Sequence, residues 1–350
     1  MEAVEQLATS QEVQIKYREV LMAKREGSIQ YNLRDKALEG ITDDHTETAY
    51  KRYIKNFAEW ARSEGINKVS KIEKYGKVEF VQKYERYLET ITKSPSSIHS
   101  YLAPVCKGLD INMKRIDKPK RTAANITKGR EASEKGARGA EERHMPQFRR
   151  LVTVQEALGL RRDELRRLTG KALGYDEFGR MRVTIRGKGG KIQRQIVLPQ
   201  HQDTVAAAFK GLSANQRVFS DTEIDNKINL HGIRREMARE AYKYYAEKLE
   251  KEPGYKLELT KQLKAYWDEN YYKDRPGKER PEEKIQSAYA RFKDDIFKGG
   301  GIYRLRGENL RKAKEKGLPT EYNRMAMMAV SVFHLAHWRL DVTATNYLVE

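Results

Sequence analysis

Apolar positions recur along most of this chain at helical spacing. Tyr50, Tyr53, Ile54, Phe57 and Ala58 fall at i, i+3, i+4, i+7 and i+8, one stripe of a 3.6-residue period. They predict a helix that begins near Thr46 and stops at Gly65. Val78, Val81, Tyr84, Tyr87, Leu88 and Ile91 predict a second helix over 76–91. Lys93-Ser94-Pro95-Ser96 then breaks the pattern and offers an N-cap, and 96–109 reads as a third helix. Residues 46–114 are therefore expected as a small helical domain. Residues 1–45 read as a helical N-terminal extension, with Val4, Leu7, Val13, Val20 and Leu21 too scattered for one face.

Large apolar residues almost vanish over 115–147, where Pro119, Gly129, Gly136, Gly139 and Pro146 accumulate, and this stretch reads as a basic linker. Helical patterning returns over 148–173. Met181, Val183 and Ile185 then alternate, Gly187-Lys188-Gly189-Gly190 turns the chain, and Ile192, Ile196 and Leu198 follow, which predicts a β-hairpin. Helices are expected at 201–212, 229–250, 257–267, 285–297, 321–337 and 340–348. The fold class is mainly α with one small antiparallel hairpin or sheet, divided into a helical domain and a second domain over 148–350.

Of the 350 residues, 39% are hydrophobic and 34% charged, a balance that supports packed domains with highly charged surfaces. No run of about 18 apolar residues exists to span a membrane. The opening MEAVEQLATSQEVQ has neither a basic start nor an apolar core, so no secretory signal is expected. The one cysteine, Cys106, sits in YLAPVCKGL and reads as helix-core packing. A cytoplasmic protein is the expectation. The formal net charge of +19 makes a polyanion the natural partner, since Lys and Arg displace counterions from phosphates. In the linker, Lys118, Lys120, Arg121, Lys128 and Arg130 are candidate DNA contacts, with a solvated connector the alternative.

Four separated pieces carry candidate chemistry. Arg161 stands at a turn into a helix with Glu164 three residues on. Lys188 occupies the glycine-rich hairpin turn. His231-Gly232-Ile233-Arg234 places an imidazole and a guanidinium on one helix face. His337 precedes Tyr347 by ten residues near the end of the chain. Taken in order, this arrangement resembles the tyrosine recombinase (phage integrase) family over roughly 46–350, and most specifically over its second half.

The resemblance implies a C-shaped clamp around double-stranded DNA, formed by a core-binding and a catalytic domain. It implies that Arg161, Arg234, His231 and His337 hold the scissile phosphate, that Lys188 is the general acid for the departing 5′-oxygen, and that Glu164 supports the site. Tyr347 would be the nucleophile that forms a 3′-phosphotyrosyl bond. A phenol with a pKa near 10 is a poor nucleophile at neutral pH, so neighbouring groups must help it ionise. Implied partners are specific recombination sites, with a homo-tetramer on two sites exchanging strands through a Holliday junction, and a nucleoid-associated location. No cofactor is expected: the sequence has no HExxH, CxxC pair or GxxxxGK[ST] loop to suggest a metal or a nucleotide. A telomere resolvase or type IB topoisomerase with the same chemistry stays open, as does a basic DNA-binding protein without catalysis.

Two departures from the family pattern stand out. Ala336 occupies a position usually held by glycine, a change that suits the helix expected there. Arg234 and His337 lie 103 residues apart, where compact members have a few tens, so about 70 residues near 245–320 look inserted. Within them Tyr266, Trp267, Tyr271 and Tyr272 alternate with Lys264 and Lys273. That cluster is expected to contact DNA or a partner, with core packing nearly as good a reading. Only three residues follow Tyr347, where family members often continue into a tail that docks on a neighbouring protomer.

Overall fold

The computed structural model describes residues 28–91, 94–121, 140–187, 190, 192–270 and 281–349. It is mainly helical with a small antiparallel sheet, and it divides into two compact units, Met1–Lys128 and Gly129–Glu350.

The first unit contains α1 (Ile29–Leu38), α2 (Asp44–Ser63), α3 (Val69–Tyr75), α4 (Lys77–Ile91) and α5 (Pro95–Gly108). Asp43 caps α2 by accepting from the Thr46 N–H, and its carboxylate sits at the positive end of the helix. The apolar stripe read from the sequence faces inward. Ile54, Phe57 and Ala58 are buried and meet Phe80, Tyr84 and Leu88 of α4 and Leu102 and Val105 of α5. Helix α1, which lies within the segment expected as an extension, buries Ile29, Leu33 and Ala37 in this same core. Cys106 is buried there too, and burial pushes its thiol up to about 11.

The second unit runs through α6 (Ala140–Arg143), α7 (Arg149–Leu158) and α8 (Arg162–Arg166) to a three-stranded sheet. Its strands β1 (Leu173–Tyr175), β2 (Met181–Arg186) and β3 (Ile192–Ile196) are antiparallel neighbours, and Arg186 opposite Ile192 closes the expected hairpin. Then come α9 (Gln202–Phe209), α10 (Asp221–Ile224), α11 (Leu230–Lys251), α12 (Tyr255–Asn270) and α13 (Glu282–Phe297). A short ladder of β4 (Ile302–Arg304) with β5 (Glu321–Asn323) brackets α14 (Gly307–Glu315). The chain closes with α15 (Arg324–Ala329), a π-turn at Val330–His334, α16 (Leu340–Thr343) and a second π-turn at Ala344–Leu348.

Two apolar cores meet along α11. Ile233 belongs to the core of α7, α9 and the sheet, with Leu158, Val183 and Phe219. Met237, Ala241 and Tyr245 belong to the core of α12, α13, α15 and the C-terminal segment, with Trp267, Met328 and Phe333. Arg234 lies on the same helix between the two sets. Tyr266 and Trp267 are core residues of the second set, which corrects the expectation that the aromatic cluster faces a partner. Tyr271, Tyr272 and Lys273 lie outside the described residues.

Candidate active site

Helix α7 ends at Gly159, whose φ of 56° is left-handed and needs no strain only in glycine. A Cβ there would also meet the Met237 methyl at 2.2 Å. The turn that follows presents Arg161. Buried Gln155 ties this turn to the start of α11: its Nε2 donates to the carbonyls of Leu160 and Leu230, both at 2.8 Å, and its Oε1 accepts from the Leu160 N–H at 2.9 Å. Glu164 closes a short loop back on Arg161. Oε1 accepts from Arg161 Nη1 at 2.6 Å, and Oε2 accepts from the Arg161 backbone N–H at 2.8 Å.

Asn229 caps α11 by accepting from the Gly232 N–H at 3.0 Å, so His231 and Arg234 sit on the first turns of a long helix. The positive end of that helix, Arg161, His231 and Arg234 line a cavity of about 320 Å³, together with Lys227 and Asn229. Its chemistry suits an anion. Arg162, whose Nη2 donates to the Ile228 carbonyl at 2.8 Å, shapes the loop that forms the far wall.

Arg234 is buried and anchored on both sides. Nη1 donates to the Gly159 carbonyl, Nη2 to the Leu335 carbonyl at 3.0 Å, and Glu164 Oε2 stands 4.0 Å from Nη1. Its Nε donates to the Tyr347 hydroxyl at 3.4 Å. A guanidinium has five N–H donors, and these contacts engage three of them. Tyr347 is itself buried, held by the π-turn at Ala344–Leu348 and by Arg239, whose Nε donates to its carbonyl at 3.1 Å. His337 Nε2 lies 3.0 Å from the Tyr347 hydroxyl, and the His231 ring stands edge-on to the phenol with centroids 5.8 Å apart.

Five of the residues singled out in the sequence therefore converge with Glu164 on one place: Arg161, His231, Arg234, His337 and Tyr347. Lys188 lies outside the described residues, as do Lys128 and Arg130. Lys118 turns inward, its ammonium donating to the carbonyls of Met113 at 2.6 Å and Ile116 at 2.9 Å. That contact ties the chain after α5 to its own helical unit.

One local expectation is corrected. Helix does not continue to 337: α15 gives way to a π-turn, and Ala336 has φ of 52° in an irregular loop. A glycine would suit that backbone better than alanine does. Sequence reasoning also passed over Gln155, Lys227 and Asn229. Of these only Asn229 carried a signal, as an asparagine directly before a helical stretch.

No family model matches the chain, and no curated protein or solved structure matches it either. Among the described residues, no helix is long and apolar enough to cross a membrane, and no group of three or more His, Cys, Asp and Glu is placed to hold a metal ion.

Proposed function

We propose that this chain cleaves and rejoins duplex DNA through a phosphotyrosyl intermediate, as a site-specific recombinase of the tyrosine recombinase type. The observation that carries the reading is the Tyr347 hydroxyl, held by His337 Nε2 at 3.0 Å and Arg234 Nε at 3.4 Å beside a cationic cavity. A buried phenol between an imidazole and a guanidinium is poorly explained by packing alone. It is well explained by a nucleophile whose target is a phosphate.

In this reading a scissile phosphate enters the cavity, and Arg161, Arg234 and His231 take its non-bridging oxygens. Planar guanidinium groups suit a phosphate that gains charge in the transition state. The Tyr347 oxygen attacks phosphorus, its proton passes to His337 Nε2, 3.0 Å away, and the bond to the 5′-oxygen breaks. Lys188 is the proposed proton donor to that oxygen. The product is a 3′-phosphotyrosine and a free 5′-hydroxyl, and attack by a partner strand's 5′-hydroxyl reverses the step. No external energy source is needed, because the phosphotyrosyl bond retains the energy of the phosphodiester. The helical unit engages the same duplex as part of a clamp, and four copies on two sites pass strands through a Holliday junction.

The test is a nicked suicide substrate carrying the cognate site. Wild type is expected to form a covalent adduct with its 3′-phosphate, and Tyr347→Phe to form none. An adduct that persists with phenylalanine at 347 removes Tyr347 as the nucleophile. If wild type forms none, the reading gives way to a basic DNA-binding protein. The products on plasmids with one site and then two separate recombination from hairpin formation or relaxation.

A further inference from the structure

His337 meets Tyr347 from a loop whose backbone does not favour its own shape. The residues on either side, Ala336 and Trp338, have φ of 52° and 57°, a left-handed conformation that residues with a Cβ avoid. Such a conformation persists only where the surroundings over-determine it. Part of the hold is polar: the His337 N–H donates to the Ser331 carbonyl at 2.9 Å, and the Arg339 N–H donates to Ser331 Oγ at 2.9 Å.

The rest is the indole of Trp338. It enters an aromatic socket, with ring centroids 5.8 Å from Tyr266, 5.3 Å from Trp267 and 5.7 Å from Phe292. The socket walls are themselves packed, Trp267 stacked on Phe292 at 4.9 Å and Tyr266 edge-on to Phe333 at 5.2 Å. Tyr266 and Trp267 come from α12 and Phe292 from α13, both within the stretch that lengthens the chain between Arg234 and His337. With Trp338 so seated, the His337 imidazole stands with Nε2 3.0 Å from the phenol hydroxyl. Without it, the left-handed residues are free to relax and the imidazole to swing away.

We infer that Trp338 is a positioning residue, and that α12 and α13 serve the site as the socket that holds it. The inference rests on the phosphotyrosyl reading only for its consequence in catalysis; the coupling of His337 to Tyr347 stands or falls separately.

The experiment uses the full chain with isotope-labelled histidine and two readouts. In the first, Tyr347→Phe shifts the His337 ring resonances of wild type, because the hydroxyl contact is lost. The same change made in a Trp338→Ala background is expected to leave them unmoved, and in Trp338→Phe, which retains an aromatic ring for the socket, to shift them again. In the second, adduct formation on the suicide substrate falls in Trp338→Ala by the factor that His337→Ala produces, about 100-fold or more for a group that handles a proton. The double variant falls no further, and DNA binding holds.

Should Trp338→Ala lose its helical circular dichroism, Phe292→Leu opens the socket from the other side and carries the same two readouts. A His337 response to Tyr347→Phe that survives in the alanine or opened-socket variant overturns the proposal, as do losses for Trp338→Ala and His337→Ala that multiply. Absence of any wild-type adduct sinks the enzymatic reading, while the resonance readout still decides the positioning.

Discussion

Glu164 holds Arg161 at two points, accepting from its guanidinium at 2.6 Å and from its backbone N–H at 2.8 Å, while its second oxygen lies 4.0 Å from Arg234. One buried carboxylate thus sets the distance between two cations that repel each other.

Removing that carboxylate should cost more than one surface ion pair is worth. An exposed pair contributes about 0–1 kcal/mol, whereas a buried charge left without its partner costs about 3–5 kcal/mol. Arg161 is partly solvated, but Arg234 is not. Glu164→Ala is expected to lower unfolding free energy by about 2–4 kcal/mol, and Glu164→Gln, which retains the hydrogen-bonding shape, by less. Urea melts of the two variants check this. Equal and small losses would mean that the carboxylate's charge does not matter.

The backbone at Ala336 makes an opposite prediction. A left-handed residue with a Cβ carries roughly 1–2 kcal/mol of strain, and glycine adds about 0.4–1 kcal/mol of unfolded-chain entropy. The first effect is larger, so Ala336→Gly is expected to stabilise by up to about 1 kcal/mol. The thermal midpoint should rise by a degree or two. A fall in that midpoint would show that the left-handed turn is not strained.

How far the sequence reveals this architecture depends on how local each signal is. Helix α2 was legible because Ile54, Phe57 and Ala58 repeat within a few turns, and the β2–β3 hairpin because Met181, Val183 and Ile185 alternate up to a glycine-rich turn. Strand β1 is three residues long and only partly buried, so no alternation marks it. The loop at His337 is hidden for a different reason: its two left-handed positions hold alanine and tryptophan, the residue types that disguise such a turn. The aromatic cluster was ambiguous because Tyr266 and Trp267 find their partners at Phe292, Phe333 and Trp338, a choice no local pattern records. The candidate site was more legible than its scaffold. Its residues carry chemistry that is uncommon in combination, whereas Gln155, which joins the Arg161 turn to α11, looks like any polar residue on a helix.

His334 gives the fold a dependence on pH. Burial, with help from Arg180, Arg234 and His201, holds its pKa down at about 3 against the usual 6.5. The folded state therefore refuses a proton that the unfolded chain accepts. Above pH 6.5 both states are neutral at this residue and it has no effect. As pH falls below 6.5 the unfolded state gains the proton first, so stability declines by up to about 1.4 kcal/mol per pH unit until the folded pKa is reached. His334→Gln is expected to flatten this part of the stability profile. Parallel profiles for wild type and variant between pH 6.5 and 4 would contradict the assignment.

The two arginines of the cavity should fail in different ways, although the phosphotyrosyl reading gives them the same task. Arg161 lies at the rim, and its guanidinium donates to Glu164, three residues along the chain. Arg161→Ala leaves the buried Glu164 carboxylate its contact to the backbone N–H of residue 161 and Arg234 at 4.0 Å, so it should lower the thermal midpoint only modestly. It should reduce adduct formation by about 100- to 1,000-fold, the usual cost of one donor to a charge-developing oxygen. Duplex affinity should hold within about tenfold, because it comes from charge spread over many contacts. Arg234 instead joins α11 to the Gly159 turn, to Leu335 and to Tyr347. Replacing it with alanine strands two buried carbonyls at about 1–3 kcal/mol each, so Arg234→Ala should melt earlier as well as lose cleavage. Adduct yield, duplex affinity and thermal midpoint measured together separate the two residues. If Arg161→Ala lost binding and cleavage in equal measure, it would be a docking residue, and the phosphate would have to sit elsewhere in the cavity.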